Sequence, residues 1–358
     1  MKIAILGSGN GGCSMAADWS LAGHNVSLFD FEAFPTQIKA IAGKGGIDVE
    51  GELNGFAPIA YAGHDIGKVV KDAELIVAVG PAFSTEPIAL ELKPHLAKGQ
   101  AVIVSPGSMG GGLLFKRTLG CKPEDPAVVV GESSTLPYAC RIIEPGRVHI
   151  YLKLKGGMFF SALPSEAGAD LLKVFDSIYH SMTLGKNYFQ TMLTNANPVI
   201  HPAVTLLNAG RIESTNGDFL FYEEGVMPGV GRLMAAVDQE RIAIGKALGV
   251  TIYPDPVIGM KQGYMTSDSY ETGYSTAPGF KGIKAQSKLD HRYLNEDVGY
   301  GLVLLRQMGD ALGVDTPHID AIILIASAVA GRDYLAEAKR SLKTLGLPQD
   351  AALKDARV

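Results

Sequence analysis

Lys2-Ile3-Ala4-Ile5-Leu6-Gly7-Ser8-Gly9-Asn10-Gly11-Gly12-Cys13-Ser14-Met15-Ala16-Ala17 runs from an apolar segment through a glycine-rich turn into a stretch with helical spacing. A G-x-G-x-x-G pattern alone carries little, but one that follows a strand and opens a helix reads as a cradle for a pyrophosphate. Gly7 supplies the tight turn, Gly9 allows close approach of the backbone to a phosphate, and Gly12 allows the helix to pack on the strand, with Asn10 and Gly11 completing the loop. The helix N-terminus adds unpaired N–H groups and partial positive charge. The alternative is a turn that keeps this shape without a cofactor. The next predicted strand, Asn25–Asp30, ends on a carboxylate placed to accept hydrogen bonds from ribose hydroxyls. The first base after Asp30 is Lys39, so no cation stands ready for a 2′-phosphate, and NAD (as NADH) is expected over NADP.

Outward from this stretch, short apolar runs at Leu75–Val79, Ala101–Val104 and Ala127–Val130 alternate with helical text, the pattern of a mostly parallel sheet covered on both faces. Gly80-Pro81-Ala82 and Ser105-Pro106-Gly107 follow two of these strands at their carboxyl ends, where open α/β sheets bind ligands. Pro81, Ala82 and Ser105 are therefore expected beside the nicotinamide. The run Gly107–Gly112 reads either as backbone donors for a substrate carboxylate or as a flexible turn. Val148–Leu154 and Met158–Leu163, around Lys155-Gly156-Gly157, carry a hairpin signal, so the sheet is expected to end in antiparallel strands. A helix near Glu166–Ile178 and an extended piece at Met182–Leu184 close a Rossmann-type domain over residues 1–186.

From residue 187 to 358 strand signals vanish. Helical spacing takes over at Gln190–Arg211, Gly231–Leu248, Glu296–Leu312 and Ile319–Arg332, which predicts an all-helical second domain. Tyr253–Asp290, rich in Gly, Ser, Thr and Tyr, is long for a connection. It reads as a lid, as one wall of a pocket, or as a packed surface segment.

Composition narrows the partners. A formal net charge of −5 with no cluster of Lys or Arg argues against nucleic acid or an anionic membrane and leaves small molecules. The apolar run at the N-terminus stops at Gly7, too short for a signal peptide, and Ala321–Ala330 is too short to span a bilayer. Three widely spaced cysteines give neither a disulfide framework nor metal-site spacing, so a reducing, cytoplasmic home is expected, with no metal. Ile319–Ala330 suits a homodimer interface or a monomer core equally.

In the helical half, Thr194, Asn197, His201 and Asn208 fall on one face of TMLTNANPVIHPAVTLLNA, a polar stripe in an apolar helix that Pro198 and Pro202 should cap or kink. His201 is either a satisfied core histidine or a group that moves protons near neutral pH. Further on, His291-Arg292-Tyr293-Leu294-Asn295-Glu296-Asp297 places Asn295 as a potential N-cap with acids in the first turn. The competing reading is that Arg292 clamps a carboxylate while Asp297 orients a histidine.

GSGNGG, the segment from Gly131-Glu132-Ser133-Ser134 to Tyr138-Ala139-Cys140-Arg141, LTNANPVIHP and RYLNEDVGYGLV together resemble the opine dehydrogenases, in order and over nearly the whole chain. The resemblance implies a C-terminal domain of the 6-phosphogluconate dehydrogenase type and NAD(P)H-dependent condensation of an amino acid amine with an α-keto acid. It also implies that His201 and Asp297 form the catalytic pair, that Arg292 binds a substrate carboxylate, and that the amino acid enters between the domains. The second substrate carboxylate is open between Arg141, which reads equally as a structural ion pair, and the Gly107–Gly112 turn; Thr135 and Cys140 are placed near the substrates by resemblance alone, and Cys140 reads first as a small packed thiol. Two other readings compete. A ketopantoate-reductase-like 2-keto acid reductase would carry a lysine where this chain has Thr191, and a non-catalytic NAD(H) sensor would have a broken His–Arg–Asp set.

Overall fold

Ile3, Ala4, Ile5 and Leu6 are at most 1% exposed, so β1 (Lys2–Leu6) is covered on both faces, and that is why it reads as an unbroken apolar run. The computed structural model describes residues Met1–Val358. The chain forms two compact units, Met1–Thr191 with Val358, and Met192–Arg357.

In the first unit, β1 is followed by α1 (Asn10–Leu21), β2 (Asn25–Phe29), α2 (Pro35–Lys44), β3 (Gly46–Gly51), β4 (Gly55–Pro58), β5 (Tyr61–Gly63), α3 (Ile66–Val70) and β6 (Leu75–Ala78). Then come α4 (Thr85–Leu92), β7 (Ala101–Val104), α5 (Gly111–Thr118), β8 (Val129–Ser133), β9 (Tyr138–Glu144), β10 (Arg147–Lys153), β11 (Met158–Leu163), α6 (Gly168–Asp176) and β12 (Met182–Leu184). Eight strands make one sheet in the order β12-β11-β8-β7-β6-β1-β2-β5. Every neighbouring pair is parallel except β8 and β11, so β11 and β12 run against the rest. The chain leaves β1 towards β2 and later returns to its other side as β6. The order therefore switches between β1 and β6, and the turns after both strands lie there at the carboxyl edge. The core beneath includes Leu6, Ile76, Val102, Val130 and Phe115, all fully buried.

A second sheet, β4-β3-β10-β9, corrects the predicted hairpin. Β10 and β11 are in different sheets: β10 pairs with β9 and β3, whereas β11 pairs with β8 and β12. The tight reversal is one strand earlier, at Pro145-Gly146, where Gly146 takes φ +77°. Burial explains the difference. β10 alternates, with Val148 and Ile150 inside and Tyr151 exposed, as befits a half-covered sheet that lies on α1. In β11, by contrast, Met158, Phe160, Ser161, Ala162 and Leu163 are all buried, with Phe160 stacked on Phe175 of α6. Β8 also runs further than predicted, to Ser133, because the polar Glu132 and Ser133 find buried partners there.

The second unit is helical, but its first predicted helix, Gln190–Arg211, is three: α7 (Tyr188–Thr194), α8 (Asn197–Leu207) and α9 (Ala209–Thr215). Asn195 Oδ1 accepts from the Asn197 N–H at 3.0 Å and Pro198 lacks a donor, so the chain restarts rather than continuing. The boundary between units falls after Thr191 rather than after Lys186, since Tyr188 is bound into the first unit through Glu132 and the Leu113 N–H.

Then follow α10 (Pro228–Ala247), α11 (Asp255–Gln262), α12 (Arg292–Asn295), a π-helical turn (Asp297–Leu302), α13 (Val303–Leu312), α14 (Pro317–Ala330), α15 (Tyr334–Glu337) and α16 (Leu342–Leu345). Α8 packs on α10, α12, α14 and the π turn. Its fully buried Val199, Ala203 and Val204 belong to a core with Val237, Ile244, Leu302 and Ile323. No helix is long and apolar enough to cross a membrane.

Candidate active site

Gly7 has φ +121°, and a Cβ there would lie 2.0 Å from the Val79 carbonyl oxygen. A Cβ on Gly12 would lie 1.8 Å from the Gly7 oxygen, whereas one on Gly9 would meet nothing within 4 Å. Two glycines are thus fixed by packing, and the third leaves space above the turn. Α1 begins with no side-chain cap, so its first N–H groups remain available to a phosphate. This cradle fits a dinucleotide pyrophosphate. Gly12→Ala should force helix from strand and lower both the melting temperature and NADH affinity. Gly9→Ala should keep the fold and weaken NADH binding alone, a split that thermal melts and fluorescence titration would reveal.

The turn is braced from three sides. Asn10 Oδ1 accepts from the Ile142 N–H of β9 at 2.8 Å, and the Cys13 thiol reaches the Ser8 carbonyl at 3.1 Å. Asp30 Oδ2 accepts from the Ser8 N–H (2.8 Å) and the Ser8 hydroxyl (2.6 Å), while Oδ1 accepts from the Phe31 N–H. The carboxylate expected at the ribose is thus also a strut of the turn. Cys140 is buried against the Asn10 carbonyl, and burial pushes its thiol up in pKa. Pro81 and the buried Ala82 follow β6. Ser105 is wholly buried, its hydroxyl accepting from Ser133 at 2.7 Å.

In the Gly107–Gly112 run, considered for a substrate carboxylate, the three glycine N–H groups of Gly107, Gly111 and Gly112 are engaged within the first unit. The Gly107 N–H goes to the Ser133 carbonyl, the Gly111 N–H to the Gly107 carbonyl, and the Gly112 N–H to Glu132 Oε2 at 2.7 Å. Glu132, 1% exposed, sits at the N-terminus of α5 and is also bound by the Tyr188 hydroxyl. Arg141 is exposed, with a guanidinium nitrogen on the Cys140 carbonyl.

In the second unit His201 lies on α8, 7% exposed, and its Nδ1 is 2.8 Å from Oδ2 of the buried Asp297. The two meet because the π turn, one residue wider than an α-turn, starts at Asp297, and such turns recur at functional sites. An ionised carboxylate only accepts, so Nδ1 carries the proton and Nε2 is the acceptor of the neutral ring. Nε2 lies 3.2 Å from the Tyr222 hydroxyl. Tyr293 stacks on the imidazole at 3.9 Å and 19°, and Phe221 meets its edge at 6.1 Å.

Other members of the predicted set sit elsewhere. Asn208 turns away to the carbonyls of Val204 and Gly225. Asn295 does not cap a helix: His291 caps α12 by accepting from the Tyr293 N–H, and Asn295 Oδ1 instead accepts from Arg332 and the Tyr334 hydroxyl. Arg292 pairs through Nε with Glu296 at 3.0 Å, one turn on, and about half of its side chain (48%) is exposed. Tyr222 had no signal in the sequence, because FLFYEEG has neither helical nor strand period.

The long segment Tyr253–Asp290 is anchored rather than loose. It contains α11, and its Tyr274 is fully buried with the hydroxyl on Asp255. Tyr270 binds Asp238 of α10, and Phe280 stacks between Tyr264 and Tyr222.

Residues 184–330 match the family model described as NAD/NADP octopine/nopaline dehydrogenase, alpha-helical domain. The chain is 39% identical over 347 residues to an opine dehydrogenase of Arthrobacter sp. (strain 1C), covering 96% of this chain and 94% of that one. It is 29% identical to the vitopine synthase of Allorhizobium ampelinum over 93% of this chain and 92% of that one. Among solved structures, octopine dehydrogenase with NADH and L-arginine superimposes with a TM-score of 0.79 at 20% identity, covering 99% of this chain and 98% of that one.

Proposed function

The chain belongs to the opine dehydrogenases, NAD-dependent oxidoreductases acting on CH–NH bonds, and from that premise we propose that His201 is the acid–base group, oriented by Asp297, and that Arg292 binds a substrate carboxylate. The reaction joins the amine of an amino acid to an α-keto acid with loss of water and reduces the resulting imine, or runs in reverse. The observation that carries the assignment is the buried His201–Asp297 pair, whose geometry leaves Nε2 as the nitrogen that exchanges protons.

In the forward direction the protonated imidazole gives its proton towards the keto oxygen as that oxygen leaves; in reverse, neutral Nε2 takes the proton of the secondary amine. Asp297 fixes the tautomer and balances the charge of the doubly protonated ring. Arg292, half exposed and held at Nε by Glu296, is suited to meet an incoming carboxylate. Arg292→Ala is expected to raise the KM for the keto acid by about 10- to 150-fold, equivalent to the roughly 1.5–3 kcal/mol of a hydrogen bond to a charged group. An unchanged KM would remove Arg292 from the site.

Gly7, Gly9, Asn10, Gly11 and Gly12 would hold the pyrophosphate, Asp30 the adenosine ribose, and Pro81 and Ala82 the nicotinamide side, with Ser105, wholly buried and bonded through its N–H to the Ala78 carbonyl and through its hydroxyl to Ser133, shaping that side from beneath. When bound, the reduced nicotinamide supplies hydride to the imine carbon. We assign preference to NAD over NADP, on the support of a carboxylate at the end of β2 with no base before Lys39. We further propose a cytoplasmic homodimer. The support is the exposed apolar side of α14, where Leu324, Ile325 and Val329 face outward, together with three free cysteines. Sedimentation as a monomer would reject the dimer.

The testing experiment follows NADH oxidation with pyruvate or 2-oxobutyrate, alone and then with pools of amino acids, and repeats it with NADPH. Oxidation only when both partners are present is the expected result. Oxidation with keto acid alone would make the protein a keto acid reductase, and equal rates with NADPH would remove the assigned preference.

A further inference from the structure

We infer that Tyr222 is a proton relay, carrying the proton between Nε2 of His201 and the oxygen that leaves as water during condensation. Of the two imidazole nitrogens, Nδ1 is taken by Asp297, and Nε2 lies 3.2 Å from the Tyr222 hydroxyl. Every proton that His201 exchanges through Nε2 therefore moves beside that hydroxyl. A phenol both donates and accepts. Facing the neutral ring, Tyr222 donates to Nε2; facing the protonated ring, it accepts the Nε2 proton and has its own to pass on. The inference rests on the reading of His201 as the acid–base group.

The step balances. The imidazolium gives its Nε2 proton to the Tyr222 oxygen, and the phenolic proton goes to the hydroxyl of the carbinolamine. The C–O bond then breaks, the nitrogen lone pair forms C=N, and the iminium and one water leave a neutral histidine and an intact tyrosine. In reverse, water adds to the iminium and the same two hydroxyl and imidazole positions return the proton to Nε2.

The setting of Tyr222 is that of a fixed group. The chain just before it is held by two backbone bonds, Phe221 N–H to the Ile283 carbonyl (2.8 Å) and Ala285 N–H to the Phe219 carbonyl (2.9 Å). Its ring is 4.1 Å from Phe280 at 15° and 5.0 Å from Phe221 at 85°. Phe280 in turn lies parallel to Tyr274, which is anchored on Asp255. At 6% exposure Tyr222 meets little bulk water that could replace it. The titratable groups around the pair are Asp297 on the π turn and Tyr293 on α12, with Arg292 acting on Asp297 and Asp255 of α11 acting electrostatically on His201.

Tyr222→Phe keeps the ring and its stacking and removes one oxygen. With NADH, pyruvate and a pool of amino acids, it is expected to lower kcat by about 10-fold or more, with KM values, NADH affinity by fluorescence titration and melting temperature unchanged. The limb of the kcat–pH profile that reports the acid group should also shift. His201→Gln is assayed beside it. If His201→Gln is impaired while Tyr222→Phe keeps kcat and its pH profile, the relay is overturned and the histidine reading stands. If both variants turn over like the unaltered enzyme, the histidine reading fails and takes the relay with it. Should Tyr222→Phe melt early, 3-fluorotyrosine at position 222 preserves shape and lowers the hydroxyl pKa; a pH limb that moves down with it supports the relay, and one that stays overturns it.

Discussion

His201→Gln is expected to lower kcat by about 10²- to 10⁴-fold, the usual contribution of a positioned acid–base group, while NADH affinity and melting temperature stay close to those of the unaltered protein. Glutamine can still hydrogen-bond to Asp297 and to Tyr222, so the variant removes proton exchange and little else. Steady-state kinetics with both substrates saturating, alongside NADH titration, make the check. Turnover within a few-fold of the unaltered enzyme would end the assignment. A histidine held only for packing would show the opposite signature, an altered melting temperature with kcat preserved. The sequence alone left those two possibilities open for His201. The geometry gives both nitrogens a partner, a buried carboxylate on one and a phenol on the other, and the kinetics of this variant separate the two readings.

The first domain was legible because its signals are local. β1, β7 and β12 have the predicted bounds, since each is a short apolar or β-branched run between turn residues. The turn at Gly7 and the close helix packing at Gly12 could be read in advance because their spacing encodes a strand, a turn and a helix in immediate succession. The hairpin was misread because period-2 alternation identifies strands and says nothing about which sheet they join. Β10 and β11 follow one another closely in sequence, yet one covers α1 and the other is buried beside β8. In the second unit His201 and Asp297 were named from residue type and resemblance, but the π turn that joins them leaves no pattern in Asp297-Val298-Gly299-Tyr300-Gly301-Leu302. The same holds for Tyr222, whose place depends on the backbone pairing of Phe219 and Phe221 with a segment some sixty residues on. Contacts of that range are invisible to periodicity, which reads one element at a time.

Behind the site, Asp238 and Arg241, both fully buried, form a charge cluster with the partly buried Asp255, and Arg241→Leu should be the costliest single change in the helical unit. Arg241 Nε donates to Asp238 Oδ1 at 2.6 Å, and its other nitrogens donate to the carbonyls of Leu193 and Tyr253, so one side chain ties α7, α10 and the segment before α11 together. Asp238 Oδ2 accepts from the Asp255 N–H and from Tyr270. Removing the cation strands the buried Asp238 carboxylate and two carbonyls and takes the nearby positive charge from Asp255, for which a loss of about 3–5 kcal/mol is expected. The loss should depend on pH. Burial, then the charge of Asp238, already raises the Asp255 pKa to about 6. A carboxyl whose folded pKa lies above its unfolded value stabilises the fold most below the unfolded value, near pH 4, and that contribution fades as pH rises through about 6. Arg241 holds the Asp255 pKa down, so without it Asp255 should titrate higher still, and the variant should be weakest at pH 7 and recover part of its stability by pH 5. Urea unfolding at the two pH values measures this directly. A loss below about 1 kcal/mol, or one equal at both pH values, would mean that the cluster is hydrated and the guanidinium dispensable.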